Sequence, residues 1–217
     1  MELIVGNKNY SSWSLRGWLM LAAFNLDFKD TRLLLHTDTF YRELEKLGVA
    51  GKVPVLLDGD LTVWDSLAIC EYVSETYLDG RGWPVDKAAR AEARAVANEM
   101  HSGFMALRSE MPMNCRAKRR IEPSAAAMQD VARIDAIWSG LRARFADQGP
   151  WLFGEFSIAD VMFAPVASRF ETYGIEVSDL SRTYMAAVLN HSAMQEWIEA
   201  GKRESEIVES DEVGIDV

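Results

Sequence analysis

A chain of 217 residues, 49% hydrophobic and 26% charged, is long enough to bury a substantial core and has an ordinary globular composition, which excludes disordered and fibrous classes. Its 33 acidic and 23 basic residues give a formal net charge of −10, the wrong sign for a general nucleic-acid or anionic-membrane binder. The only cysteines, Cys70 and Cys115, form no CxxC pair and have no zinc-type partner at suitable spacing, so neither a disulfide scaffold nor a metal site is indicated.

The opening MELIVGNKNY has no basic segment leading into a long apolar stretch, and the nearby run from Trp18 to Phe24 is too short to span a bilayer. A cytoplasmic protein is expected. Leu3, Ile4 and Val5 form a short β-prone run, ended by Gly6 and Asn7, that reads as a buried parallel-type strand. From Ser12 onward, Leu15, Trp18, Leu19, Ala22, Ala23 and Leu26 recur at three- and four-residue steps, the stripe of an amphipathic helix capped by a preceding serine. A second strand over Arg32 to Leu35 leads through His36 and Thr37 into a short helix from Asp38 to Leu47, stopped by Gly48.

Val53-Pro54-Val55-Leu56-Leu57 is a strand with proline at its entrance, turned by Asp58-Gly59-Asp60 into Leu61-Thr62-Val63. Asp65-Ser66 then opens a helix with Ile69, Tyr72, Val73 and Thr76 on one face, ending near Leu78. The stretch Asp79-Gly80-Arg81-Gly82-Trp83-Pro84 breaks both periods and is the clearest linker. Beyond it no strand is evident. Helices are expected over Ala88 to Leu107, Ser124 to Phe145, Ser157 to Tyr173 and Ser192 to Arg203. The reading is an α/β domain over residues 1–78, a linker over 79–86, an all-α helical bundle over 87–204 and an acidic, flexible tail over 205–217. The one basic cluster, Arg116, Lys118, Arg119 and Arg120, reads as a solvated helix end or loop.

This order of elements, with SSWSLRGW at 11–18, KVPVL at 52–56, VWDSLAICEYV at 63–73 and FSIADVMFAPV at 156–166, resembles the cytosolic glutathione transferases over about residues 1 to 204. The resemblance implies a thioredoxin-like N-terminal domain that binds glutathione and a helical domain that supplies the pocket for a small, largely apolar electrophile. It also implies a homodimer.

Ser11 and Ser12 lie between the first strand and first helix, where unpaired helix N–H groups and positive potential suit a thiolate. Both could also simply cap the helix. Capping by Ser12 would leave Ser11 the freer hydroxyl, and in the serine-type transferases the first serine of such a pair is catalytic, which makes Ser11 the thiolate donor and Ser12 its support. Tyr10 is a third candidate, since other classes use a tyrosine near the end of this strand. Val53-Pro54 resembles the cis-proline dipeptide whose backbone pairs with the cysteinyl unit of glutathione. Asp65 and Ser66, at a helix start suited to a carboxylate, correspond to the γ-glutamyl site.

Ser157 and Asp160 make a capping box with Phe156 and Val161 as its staple, a folding element rather than a catalytic one. In the region 100–116, Phe104, Arg108 and Met111 are read as pocket residues, with a methionine-rich core the alternative. Two further readings stay open. The serine pair followed by Arg16 is similar to the zeta class, which includes maleylacetoacetate isomerase, although Trp13 stands where that class has cysteine. The other is a transferase-like binding protein without catalysis, against which Ser11, Pro54 and Ser66 speak.

Overall fold

A computed structural model describes the whole chain, Met1–Val217. Strand β1 (Glu2–Val5) pairs in parallel with β2 (Lys29–Arg32) and antiparallel with β3 (Val55–Asp58), which turns into β4 (Leu61–Trp64). The sheet order is β2-β1-β3-β4. Alternation along β1 explains its continuous apolar run. Leu3 and Val5 join the large core beside α1 (Ser12–Ala23) and α3 (Ser66–Tyr77), while Ile4 packs on the opposite face with Val55 and with Phe40 and Leu44 of α2 (Asp38–Lys46).

The second strand lies three residues earlier than its apolar run suggests. Leu33 makes one further bond, to Val5 O, but the Leu35 N–H is taken by the Asn7 side chain, so Leu33 and Leu35 pack on the small cluster as loop residues.

The rest is helical: α4 (Lys87–Ser102), α5 (Met105–Glu110), α6 (Ala125–Phe145), α7 (Ile158–Tyr173), α8 (Asp179–Leu189) and α9 (Ser192–Lys202). The chain thus has the thioredoxin-like sheet domain followed by the all-α domain. Helix α7 is buried on nearly all sides, packed by α1, α4 and α8. Its start carries the expected capping box: Asp160 Oδ2 accepts from the Ser157 N–H at 2.9 Å, and Oδ1 accepts from the Leu152 N–H at 3.0 Å. Helix α8 is an additional element that the sequence did not announce: its buried face is narrow and partly polar, made of Ser181, Tyr184 and Val188, while Leu180 faces outward. The helix expected over Ala88 to Leu107 is broken. Gly103 closes onto Glu99 O and Phe104 adopts a left-handed φ of 57°, restarting the chain as α5.

The acidic end is laid against the body of the protein. Glu204 accepts the Lys8 and Asn9 N–H groups, Glu206 pairs with Arg32, and Glu212 accepts from Tyr10, Asn114, Arg116 and Arg119. A two-residue ladder joins β5 (Arg119–Arg120) to β6 (Ile215–Asp216), so the helical half contains a short strand pair after all. Arg116 and Arg119, read as part of a solvated cluster, are the counter-charges that hold this segment.

Helix α9 meets the loop after β1 so closely that a Cβ on Gly201 would lie 3.1 Å from the Asn9 and Lys8 backbone. Gly201→Ala is therefore expected to destabilise by about 1–3 kcal/mol, read as a lower urea midpoint at unchanged slope. An unchanged midpoint would mean that the loop moves freely. No helix is long and apolar enough to cross a membrane.

Candidate functional site

The end of β1, the start of α1, the entrance to β3 and the start of α3 converge on a cleft of about 730 Å³, closed on its other side by α5, α7 and the C-terminal segment. Tyr10, Ser11, Ser12, Val53, Pro54, Asp65, Ser66 and Arg108 all line it. Phe104 and Met111 do not. The break at Gly103 turns Phe104 into the core, and Met111 is fully buried, its carbonyl accepting from Arg169 Nε at 2.8 Å; Pro112 and Met113 line the cleft in their place.

The serines exchange the parts their spacing suggested. Ser11 is the N-cap, its Oγ accepting the Ser14 N–H at 3.3 Å and donating to Ser14 Oγ at 2.8 Å. Ser14 Oγ in turn accepts the Gly6 N–H at 3.0 Å, which ties α1 to the end of β1. The single hydroxyl hydrogen of Ser11 is thus committed. Ser12, the first residue of α1, has its Oγ occupied only by Arg169 Nη2, which donates at 3.1 Å, so the Ser12 hydrogen remains available to the cleft. Tyr10 lines the cleft, but its hydroxyl bonds Glu212 and Arg116.

The Val53–Pro54 peptide is cis. Pro54 comes close to α1 because residue 17 is glycine: a Cβ there would be 3.1 Å from the proline ring. At the start of α3, Asp65 has φ 74° and ψ 130°, a conformation a non-glycine residue holds only when its surroundings impose it. Its Oδ1 accepts the Leu67 and Ala68 N–H groups at 2.9 and 3.2 Å, and Oδ2 meets His101 Nε2 at 3.1 Å. Burial holds the His101 imidazole below its ordinary pKa, against the pull of Asp65. Ser66 is 1% exposed and its Oγ has no partner, although it borders the cleft.

The side of the cleft formed by α5 and α7 carries the guanidiniums of Arg108 and Arg169. Trp13 sits under two guanidiniums, with Arg16 Cζ at 4.5 Å and Arg108 Cζ at 4.4 Å from its ring centroid, and the His101 ring stands edge-on at 5.3 Å. Arg169, from the middle of α7, completes this side. Burial first, and then the neighbouring guanidiniums, push Arg16 down to about 9 and Arg169 down to about 10. Trp13, His101, Arg169 and Asp211 are among the lining residues that sequence reasoning did not assign to the site. Arg169 left a signal, the one charge in the largely apolar run from Val161 to Phe170.

Neither cysteine lines the cleft. Cys70 is buried and its thiol is pushed well up; burial pushes Cys115 up to about 12, so neither supplies a thiolate at neutral pH. No group of three or more His, Cys, Asp or Glu side chains is placed to hold a metal ion.

Residues 10–76 match the family model of the glutathione S-transferase N-terminal domain, and residues 88–200 that of the C-terminal domain. A probable maleylacetoacetate isomerase from Caenorhabditis elegans is 33% identical over 96 residues, 44% of each chain. The maleylacetoacetate isomerase of Rattus norvegicus is 29% identical over 77% of this chain and 76% of its own. In fold, the chain is similar to a glutathione transferase homolog from Burkholderia solved with bound glutathione, at a TM-score of 0.72 and 23% identity over 94% of this chain and 98% of that one.

Proposed function

The chain belongs to the glutathione S-transferase family, an enzyme family, and from that premise we propose that the cleft binds glutathione, stabilises its thiolate and directs the sulfur at a small electrophile beside α5 and α7. One observation carries the reading. Two helix N-termini open into the same cleft, each presenting a serine whose hydroxyl still has hydrogen-bonding capacity toward it: Ser12 on α1 and Ser66 on α3.

In this reading Ser66 and the first N–H groups of α3 receive the γ-glutamyl carboxylate, and Asp65, held rigidly by its cap bonds and His101, faces the ammonium group. The Val53 backbone borders the same cleft and, in this reading, pairs with the cysteinyl unit of the tripeptide. The Ser12 hydroxyl donates to the sulfur while the Arg169 guanidinium, bonded to the same oxygen, favours the anion electrostatically. The thiol proton leaves to solvent. The sulfur then forms its bond to the electrophilic carbon as the leaving group departs with the bonding pair, and no covalent enzyme intermediate arises. Positioning and thiolate stabilisation are the terms that lower the barrier. The reading carries with it a cytoplasmic homodimer.

Ser66→Ala removes a hydrogen bond to a charged group and is expected to weaken glutathione binding about tenfold in calorimetry. Unchanged affinity would place the γ-glutamyl end elsewhere. Retention of the wild-type chain on immobilised glutathione tests the whole reading, and passage in the void volume would overturn it. The names of two relatives favour a second reading, glutathione-dependent isomerisation of the maleylacetoacetate type. Turnover of maleylacetone would establish it, and a chain that conjugates aromatic halides without turning over maleylacetone would exclude it.

A further inference from the structure

Residues 207–217 run across the body of the protein with little apolar burial of their own. Ile207, Ile215 and Val217 are 61%, 66% and 78% exposed, and of the apolar side chains in this stretch only Val208 is buried. Apolar burial is what ordinarily offsets the entropy lost in ordering a chain, so polar bonds have to hold this one. Four of them converge on one carboxylate. Glu212 accepts from the Tyr10 hydroxyl at 2.5 Å, from Asn114 Nδ2 at 3.1 Å, from Arg116 Nη2 at 3.3 Å and from Arg119 Nη2. Beyond these the stretch has the two-residue ladder with β5, the Val217 amide on Lys118 O, and a pair between Arg119 and the largely exposed Asp216.

The same stretch is a wall of the cleft. Asp211, the residue before the anchor, borders it, and so does Tyr10, which donates to the anchor. Upstream the chain is fixed: the Glu204 carboxylate accepts the Lys8 and Asn9 amides, and both Glu204 and Glu206 pair with Arg32. Attachment is therefore firm up to Glu206 and, beyond it, depends chiefly on the ionic node at Glu212.

We propose that residues 207–217 form a strap that opens to admit ligand to the cleft, with Glu212 as its latch. Local opening is easiest where few apolar contacts are lost and the bonds that break are polar ones that water can replace, and this stretch meets both conditions. Tyr10 joins the cleft lining to the strap, which is why its hydroxyl is engaged away from the serine pair. A strap held by charge and not by packing loosens as salt rises.

The test reads access to the cleft in the full chain, as alkylation of a Leu35→Cys variant by iodoacetamide, a neutral reagent whose approach salt does not alter. Leu35 is half-buried and lines the cleft beside His36, which lies close enough to Asp211 to act on its charge. Cys70 and Cys115 lie outside the cleft and serve as internal references. Adding Glu212→Ala is expected to speed alkylation of the introduced thiol at least about tenfold, with both native thiols unchanged. Glu212→Gln, which keeps an acceptor for Tyr10 but not the charge, should fall between. Salt should speed the reaction of Leu35→Cys alone, a reading that leaves Glu212 untouched, and do little once residue 212 is alanine. A rate that Glu212→Ala leaves unchanged, a rise shared by Cys70 and Cys115, or a rate in Leu35→Cys that salt does not move would overturn the proposal. The strap rests on the reading of this cleft as the ligand site, but alkylation needs no glutathione. The expected labelling in a chain that immobilised glutathione does not retain would count against the transferase reading alone.

Discussion

Ser12→Ala is expected to lower kcat/KM for conjugation of glutathione to 1-chloro-2,4-dinitrobenzene by roughly one hundredfold, the usual cost of deleting one donor to an anion formed on the reaction path. Ser11→Ala should cost less than about tenfold in the same assay, because its hydrogen is already given to Ser14 and its loss weakens a helix cap worth about 1 kcal/mol. The contrast lies in the hydrogen-bond directions. Ser12 Oγ accepts from Arg169 and keeps its own hydrogen, whereas Ser11 both accepts and donates within the turn. A reversed ranking would return the thiolate to Ser11. If both variants stayed within twofold of wild type, neither hydroxyl would touch the sulfur.

The largest expected effect on stability is at Asp160. This carboxylate is wholly buried and accepts from the Leu152 N–H, the Ser157 N–H and Ser157 Oγ. Alanine would leave two buried backbone donors without an acceptor, a loss of about 3 kcal/mol against typical total stabilities of about 5–15. Asp160→Asn keeps one acceptor oxygen and should lose less.

Burial raises the Asp160 carboxyl to about 6, so the native chain holds this proton to higher pH than the unfolded chain, whose aspartates titrate near about 3.9. A raised native pKa means that this group contributes most below the unfolded value and less as pH rises through the native one. The deficit of Asp160→Ala relative to wild type should therefore narrow between about pH 5 and pH 7 in urea denaturation. A deficit that widened over that range would show a carboxylate favoured in its charged form.

What could be read from the sequence were features decided by neighbours along the chain. The buried run Leu3 to Val5, the hairpin around Gly59, the cap at Ser157 and the breaks at Gly48 and Gly80 depend on local periodicity and turn chemistry, and each is found in place. Features decided at a distance were not legible. The position of β2 depends on the Asn7 side chain taking the Leu35 amide, and the arrangement of the acidic end depends on Arg116 and Arg119, distant in sequence.

The site divides in the same way. The residues that the resemblance singled out on short motifs, Ser11, Ser12, Val53, Pro54, Asp65 and Ser66, all border the cleft. Which of the two serines caps α1 was not legible, because the bonds of Ser14 to the Gly6 amide and of Ser12 to Arg169, the latter far along the chain, are made only in the fold. Nor was the meeting at the cleft of Arg108 from α5 and Arg169 from α7, which come together only in the folded chain.

The ultraviolet thiolate band of glutathione bound to the wild-type chain, followed as pH is raised, tests the central claim most directly. A cleft that holds the anion with Ser12, Arg169 and the α1 N-terminus should show the band at neutral pH, with half-ionisation at least about one unit below the value near 8.5 of an ordinary thiol. Bound glutathione that ionises only at its free value, or a chain that does not bind glutathione, would contradict it.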